Sequence, residues 1–280
     1  MLSAVLTFNL LDSSAKWLTG GYPVAMVVWS RYVFSVLLML AAVPWLGGLS
    51  ALRTRRPAMQ AVRGVLLLAC TILFMTAIAY IPLATATAIG FASPLFVTAL
   101  SIPLLGERVG PRRWAAVLAG FAGVVIVIRP GLGSVHWATV LPLLMAICYA
   151  AYQILTRMLR VSEGPFASLF YPALLGALLA SAAVPFFWVT PRWPDLGLMA
   201  LMGLFGGTGH FIMIRAFALA PVSTLAPFAY CQIIGAAGLG YAIFGDLPDW
   251  PTGVGTAVIV ASGIYVWHRE AVLRGAARQS

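Results

Sequence analysis

The sequence predicts an all-α polytopic membrane protein whose ten transmembrane helices form two inverted five-helix repeats around a central cavity. The first observation is composition: hydrophobic residues make up 62% of the 280 positions and charged residues only 9%, whereas soluble domains carry about 25% charged residues. The second is that apolar residues form repeated runs of about 20, long enough to cross a hydrocarbon core about 30 Å thick. These runs are continuously apolar rather than alternating, which excludes a transmembrane β-barrel. The third observation is an internal duplication.

The duplication joins the segment at 77–107, AIAYIPLATATAIGFASPLFVTALSIPLLGE, to the segment at 215–246, RAFALAPVSTLAPFAYCQIIGAAGLGYAIFGD. The pattern Ala-x-Ala-x-x-Pro begins at Ala77 and recurs at Ala216, an offset of 139 positions. Each copy then continues through mostly apolar residues to a glycine followed by an acid, which is Asp246 in the second copy. A match of this length at one offset indicates that the second half of the chain repeats the first.

Ten spans are predicted in chain order, at positions 2–18, 22–45, 61–81, 84–104, 112–129, 136–157, 165–189, 196–217, 221–244 and 251–268. Turn signals such as Gly20-Gly21-Tyr22-Pro23 separate them. Division near 130–135 gives five spans to each repeat, at 1–130 and 136–270, and leaves 271–280 as a cytoplasmic tail. Because five is odd, the second repeat enters the membrane in the opposite orientation. Inverted repeats of this kind are characteristic of secondary transporters.

The basic residues predict the orientation of the chain. The net charge of +10 does not indicate a nucleic-acid surface, because most basic residues lie in short loops between apolar runs. The loops on one side hold only Arg129 and Arg192. The positive-inside rule therefore predicts that both termini are cytoplasmic. The basic residues on that side are Arg53, Arg55, Arg56, Arg63, Arg108, Arg112, Arg113, Arg157, Arg160, Arg215, Arg269, Arg274 and Arg278.

Four ionisable residues inside the spans are candidates for function, because a charge at membrane depth is costly and usually faces a cavity or a partner. Asp12 and Lys16 are spaced i, i+4 and are expected to pair, although Lys16 also lies near the outer helix end, where it can snorkel to water. Arg31 lies roughly 13 Å into the second span, as a partner of Asp12 or as a carboxylate-binding group. His210 is either a neutral side chain bonded to a neighbouring helix or a proton carrier.

Tyrosines and amides inside the spans predict a polar cavity. Tyr149, Tyr152 and Gln153 follow the spacing i, i+3, i+4 on one face of the sixth span, and Tyr230 and Gln232 lie in the middle of the ninth. A buried phenol or amide needs a partner, which either a cavity with water and substrate or a packed neighbouring helix supplies. The predicted lining of the cavity is Tyr32, Tyr80, Tyr149, Tyr152, Gln153, His210, Tyr230 and Gln232.

The remaining spans differ in their expected roles. Pro94 and Pro227 are predicted to kink the fourth and ninth spans, because each removes a backbone donor in mid-helix. The fifth and tenth spans carry no charged residue at 114–128 and 253–267. They are therefore predicted to lie at the periphery, as lipid-facing helices or as the contact of a homodimer.

The duplicated halves, with their Ala-x-Ala-x-x-Pro and glycine–acid landmarks, resemble the drug/metabolite transporter superfamily and in particular its EamA-type ten-span members. The segments GHFIMIRAFALAP (209–221) and DSSAKWL (12–18) look like those of bacterial exporters of metabolites or amino acids. The resemblance implies a central cavity reached alternately from either side, with the fifth and tenth helices at the periphery. The four-span multidrug members use a glutamate in their first helix, whereas the comparable acid here is Asp12, four residues from Lys16. Proton-coupled cation export is therefore not expected.

Several function classes lack the residues they need. An intramembrane enzyme needs a nucleophile–base set or a metal cluster, which the three scattered histidines do not provide. The sequence has neither a filter-like loop for a selective channel nor a P-loop for ATP. We expect neither a cofactor nor a disulfide framework, since the three cysteines Cys70, Cys148 and Cys231 fall inside spans. No cleavable signal peptide is expected either.

The favoured hypothesis is a secondary transporter of the bacterial inner membrane that exports small polar metabolites, above all amino acids including aromatic ones. Its partners would be the small-molecule substrate and the lipid bilayer. One alternative is an uptake carrier for a larger metabolite such as S-adenosylmethionine or riboflavin. Another, from a different class, is a membrane scaffold that transports nothing, although a scaffold needs neither an inverted repeat nor polar groups in mid-span.

Overall fold

The computed structural model describes residues 1–45, 48–106, 109–129, 136–159, 162–219, 225 and 228–276. Regular structure in these residues consists of α-helices and short 3-10 segments. The α-helices are α1 Leu2–Thr19, α2 Val24–Ala42, α3 Pro57–Tyr80, α4 Leu83–Gly90, α5 Ser93–Leu105, α6 Pro111–Ile128, α7 Val140–Leu159, α8 Pro165–Ala183, α9 Trp193–Leu219, α10 Cys231–Phe244 and α11 Trp250–Ala276.

The chain is a multi-pass membrane protein. In its described part, seven helical stretches are long and apolar enough to cross a membrane by length and composition. The other three predicted spans fall on α1, on α10, whose described part has 14 residues, and on α11. The seven stretches are Val24–Trp45, Pro57–Tyr80, Leu83–Leu105, Pro111–Ile128, Trp137–Leu159, Pro165–Phe187 and Trp193–Met213.

The repeated glycine–acid landmark has one local role in both halves. Gly106 ends α5 with φ 66°, and Gly245 ends α10 with φ 72°. Both are left-handed conformations that glycine adopts without steric cost at a helix C-terminus. The landmark therefore marks the same helix end twice.

The fourth span consists of two helices. α4 ends at Gly90 and α5 begins at Ser93, so that Pro94 lies in the first turn of α5. A proline is tolerated there because the first turn has no intrahelical acceptor for its missing N–H. The interruption lies directly before Pro94, where the kink stays a prediction, and Pro227 lies outside the described residues. Pro172 lies inside α8, a position that the sequence analysis did not single out.

The packing follows a paired pattern. α1 packs on α9 while α3 packs on α7, and α2 packs on α9 while α3 packs on α8. α2 also meets α8, α4 meets α10, and α6 meets α11. One core cluster joins buried side chains of α1, α2, α3, α8 and α9, and a second joins those of α4, α5, α6 and α11.

α6 and α11 pack mainly against each other and reach the rest of the bundle through α4 and α5. Gly123 and Gly255 permit a close backbone approach, because a Cβ at Gly123 would lie 2.8 Å from the Gly255 carbonyl oxygen. Leu118 and Val125 lie elsewhere on α6 and are 64% and 55% exposed. These apolar side chains face away from the protein.

Candidate functional site

Asp12 is the acid of a polar group at the centre of the bundle. It lies within α1 and is only 8% exposed. Gln232, in the first turn of α10, donates from Nε2 to Asp12 Oδ2 across 3.2 Å. The contact joins the first and last parts of the chain, and Oδ1 has no hydrogen-bond partner among the described residues.

Arg31 is the base of this group. Its Nη1 donates to Thr71 Oγ1 of α3 across 2.9 Å, and its guanidinium carbon lies 5.6 Å from the centroid of the Tyr32 ring. The Tyr32 hydroxyl lies 2.8 Å from the same Thr71 oxygen. Arg31 is close enough to Asp12 for the two charges to interact, yet within the described part of the chain they form no direct ion pair.

Tyr149 and His210 complete the central polar group, which we define as Asp12, Arg31, Tyr32, Thr71, Tyr149, His210 and Gln232. Tyr149 lies on α7 and His210 on α9, and no hydrogen bond in the described residues joins either side chain to Arg31. His210 Nδ1 lies 2.9 Å from the Gly206 carbonyl oxygen, one turn earlier on its own helix. The expected bond to a neighbouring helix is thus replaced by one within α9, while the ring packs edge-on against Phe8 of α1 at 4.9 Å.

Tyr152 lies one turn after Tyr149 on α7 and continues the row of polar side chains along that helix. Its ring stacks on Tyr149 with centroids 5.9 Å apart, as the shared helix face predicted. Its hydroxyl accepts a hydrogen bond from Arg63 Nη2 at 3.1 Å, and the Arg63 guanidinium lies 4.8 Å from the ring centroid. Gln153, the next residue, is partly exposed and has no hydrogen-bond partner in the described residues.

Arg63 is a site neighbour that the sequence analysis treated only as a marker of topology. It is 1% exposed, and it donates to Gln60 Oε1 at 2.6 Å and to Thr156 Oγ1 at 3.0 Å as well as to Tyr152. The sequence does contain a sign of this buried role, because Gln60 and Arg63 are spaced i, i+3 inside an otherwise apolar helix. Arg63 fixes the Tyr152 ring between α3 and α7.

Tyr80 and Tyr230 do not join the central polar group. Tyr80 ends α3 and is 56% exposed. Its ring stacks on His136 with centroids 5.6 Å apart and lies tilted against Trp137 with centroids 5.1 Å apart. Tyr230 packs against α11, where a Cβ at Gly263 would lie 1.9 Å from its hydroxyl. Their expected place in the cavity lining stays a prediction.

Lys16 does not pair with Asp12. Its Nζ lies 2.8 Å from Asp246 Oδ2 and donates to the Ile81 carbonyl oxygen at 3.0 Å. Lys16 lies in the last turn of α1, from which its long side chain reaches the loop after α10. Asp12 lies one turn deeper and is bound by Gln232 instead.

Two pockets lie outside the central polar group. One, of about 370 Å³, is a groove between α6 and α11. The other, of about 490 Å³, lies at the end of the bundle where α1 and α3 finish, and its lining includes Lys16, Trp17, Tyr22, Ile78, Arg192, Asp195 and Phe244. No group of three or more His, Cys, Asp or Glu in the described residues could hold a metal ion. The three cysteines are free thiols.

A family model described as the EamA-like transporter family matches the chain twice, at residues 1–129 and 136–267. A crystal structure of another protein aligns with a TM-score of 0.63 over 93% of this chain and 94% of that chain, at 19% identity. At that identity the likeness concerns the fold alone.

Three relatives are named as transporters. An S-adenosylmethionine uptake transporter of Rickettsia prowazekii is 28% identical over 96% of this chain and 91% of the relative. A riboflavin transporter of Rhizobium johnstonii is 30% identical over 96% and 90%. A pseudopaline exporter of Pseudomonas aeruginosa is 27% identical over 93% and 92%. The relatives thus include uptake and export, and substrates of unlike chemistry.

Proposed function

The chain belongs to the EamA-like transporter family, and from that membership we propose that it is a secondary transporter that exports small zwitterionic metabolites across the bacterial inner membrane by alternating access. Amino acids, including aromatic ones, are the substrates that the central polar group suits best. Both termini are proposed to be cytoplasmic, as the distribution of arginines predicts.

The observation that carries the substrate proposal is the relation between Asp12 and Arg31. Both lie within helices of the bundle, where an isolated charge costs several kcal/mol, and in the described residues neither has an ion-pair partner. A zwitterion placed between them offers an ammonium group to Asp12 and a carboxylate to Arg31. Each buried charge then gains the partner that offsets its desolvation.

The tolerance for aromatic side chains rests on Tyr149 and Tyr152. Their stacked rings form a flat surface beside the charge of Arg31. Offset or edge contacts between aromatic rings contribute about 0.5–1.5 kcal/mol beyond burial of area. An aromatic substrate side chain directed at this pair would gain such contacts.

Ten spans in two inverted repeats are proposed as the architecture of alternating access. The double match of the family model supports it. So does part of the packing, since exchange of α1, α2 and α3 with α7, α8 and α9 turns the α1–α9 contact into the α3–α7 contact and the α2–α9 contact into the α3–α8 contact. Helices that correspond between the halves, such as α2 and α8 or α6 and α11, meet each other, as helices beside a two-fold axis do.

The test is counterflow in proteoliposomes that contain the purified protein as their sole protein. Vesicles loaded with one unlabelled amino acid at high concentration should accumulate the labelled compound transiently, and the strongest signals should come from phenylalanine, tyrosine and tryptophan. Protein-free vesicles serve as the control. Counterflow with none of the amino acids would contradict the substrate proposal.

An uptake carrier for S-adenosylmethionine or riboflavin is the second candidate, because relatives with those names match nearly the whole chain. The same vesicles distinguish it when loaded with either compound. Absence of exchange for every compound, in protein whose thermal unfolding is cooperative, would favour the non-transporting scaffold.

A further inference from the structure

Polar contacts join the two halves at the end of the bundle that is predicted to face outwards. The Tyr22 hydroxyl donates to Asp195 Oδ2 at 2.7 Å, and Arg192 Nε donates to the same oxygen at 2.9 Å. The Arg192 amide donates to the Tyr22 oxygen at 3.1 Å. Together with the ion pair of Lys16 and Asp246, these residues form what we call the outer clasp.

A second set of contacts joins the halves at the opposite end. Glu163, between α7 and α8, accepts hydrogen bonds at Oε1 from the backbone amides of Arg55 and Arg56, at 2.8 and 3.1 Å. Its Oε2 accepts from Gln60 Nε2 at 3.4 Å. We call these four residues the inner clasp. Glu163 is 9% exposed, and the hydrogen-bond donors to its carboxylate in the described residues are neutral groups rather than cations.

The two clasps correspond through the duplication. At an offset of 141 positions, Asp12 and Lys16 of α1 fall opposite Gln153 and Arg157 of α7, and the same offset carries Tyr22 to Glu163. The offset of 139 that relates Ala77 to Ala216 carries Arg56 to Asp195. In each clasp, the loop between the first and second helices of one half binds the start of the third helix of the other half. An inverted repeat places such equivalent contacts on opposite faces of the membrane.

The protonation state of Glu163 favours a closed inner clasp. Burial raises the pKa of its carboxyl group, but hydrogen bonds from Thr54, the Arg55 amide, Gln60 and the Arg56 amide outweigh this and hold the pKa below its usual range. The carboxylate therefore stays ionised at neutral pH.

We propose that the outer and inner clasps are the two gates of the transporter, both closed in this structure, and that each half-cycle opens one while the other stays closed. The proposal rests on the alternating access of the proposed function, and it assigns the gating to particular side chains. The 490 Å³ pocket at the outer clasp is the vestibule of this gate. Two polar residues that line it, Lys16 and Asp195, are bound to other residues of the clasp.

The test measures access to buried reporter cysteines in a variant without Cys70, Cys148 and Cys231. Ile78 lines the outer vestibule and is 0% exposed, and Ala167 lies in the first turn of α8 near the inner clasp and is also 0% exposed. Ile78→Cys reports opening of the outer gate, and Ala167→Cys reports opening of the inner gate. A membrane-impermeant maleimide is applied from each side, without substrate.

Asp195→Asn and Asp246→Asn should each accelerate labelling of the Ile78 reporter about tenfold, since each removes a hydrogen bond to a charged group. Glu163→Gln should accelerate labelling of the Ala167 reporter and slow that of the Ile78 reporter. Asp249→Asn is the matched control: Asp249 also pairs across the halves, with Arg129, but at the peripheral helices α6 and α11. It should leave both rates within twofold of the parent.

Tyr22→Phe removes one hydroxyl and keeps the ring, and it provides a clasp variant that should fold even if a charge variant does not. The proposal would be overturned if Tyr22→Phe and a folded Asp195→Asn variant both left the labelling rate of the Ile78 reporter unchanged. It would also be overturned if Asp249→Asn changed the labelling rates as much as the clasp variants do. The labelling assay contains no substrate, so it is independent of the counterflow assay. If the clasp variants change the labelling rates as expected but no amino acid gives counterflow, only the substrate assignment is contradicted. If counterflow occurs but the clasp variants leave the labelling rates unchanged, only the clasps are contradicted.

Discussion

At the scale of single residues, the interior charges are organised by neutral partners. Arg63 binds Gln60, Thr156 and Tyr152, and Arg31 binds Thr71. A guanidinium is suited to this because its planar fork presents five donors that several neutral acceptors can share. The two arginines differ in what they hold: Arg63 positions an aromatic side chain, whereas Arg31 stands beside an acid that it does not touch.

Arg63→Lys should lower the free energy of unfolding by about 2–4 kcal/mol, because a lysine ammonium cannot reach three acceptors on two helices and stays buried. Thermal unfolding of the purified protein in detergent measures the loss. Arg112→Lys is the matched control, since Arg112 is exposed in the first turn of α6, and it should change stability by less than about 0.5 kcal/mol. Equal losses in the two variants would show that Arg63 is not a structural centre.

At the scale of helices, close approach depends on glycines placed against backbone. Gly123 of α6 faces the carbonyl oxygen of Gly255 and the amide of Ile259 on α11. Small residues at such contacts let transmembrane helices gain van der Waals packing that lipid does not supply. The α6–α11 pair is therefore closely packed, and it joins the rest of the bundle through α4 and α5.

Gly123→Ala should lower stability by about 1–3 kcal/mol, because the new methyl group meets backbone atoms rather than a flexible side chain. Gly253→Ala is the control on the partner helix. Nothing lies within 4 Å of a Cβ there, and alanine is the better helix former by up to about 1 kcal/mol. A destabilised Gly253→Ala or an unaffected Gly123→Ala, measured by thermal unfolding, would contradict the described packing.

The elements also show what the sequence could and could not predict. The apolar runs located the helices, since each must satisfy its backbone within itself in lipid. The division of the fourth span into α4 and α5 was not predicted, because hydropathy does not distinguish one bent helix from two short ones. The partner of Lys16 was missed for a related reason: Asp246 lies 230 positions away, and only the tertiary fold brings the two together.

At the scale of the whole molecule, the two halves meet along the bundle as well as at the α6–α11 pair. Clasps of polar contacts join them at either end, and the central polar group lies between. The site was partly predictable, since Asp12, Arg31, Tyr149 and His210 are polar residues in apolar helices, where each needs a partner. The side of the helix on which Tyr80 and Tyr230 find their contacts was not predictable, because it depends on how neighbouring helices are rotated about their axes.

The central claim is that Asp12 and Arg31 bind the two charges of one zwitterionic substrate. Its most direct measurement is competition against counterflow of labelled phenylalanine by phenethylamine, which lacks the carboxylate, and by 3-phenylpropionate, which lacks the amine. In the unmodified protein both should compete about 10- to 100-fold more weakly than phenylalanine, because each leaves one buried charge unpaired. Asp12→Asn should remove the disadvantage of 3-phenylpropionate, and Arg31→Gln should remove that of phenethylamine. Equal competition by all three compounds in the unmodified protein, or variants that lose transport without any change in this ranking, would contradict the claim.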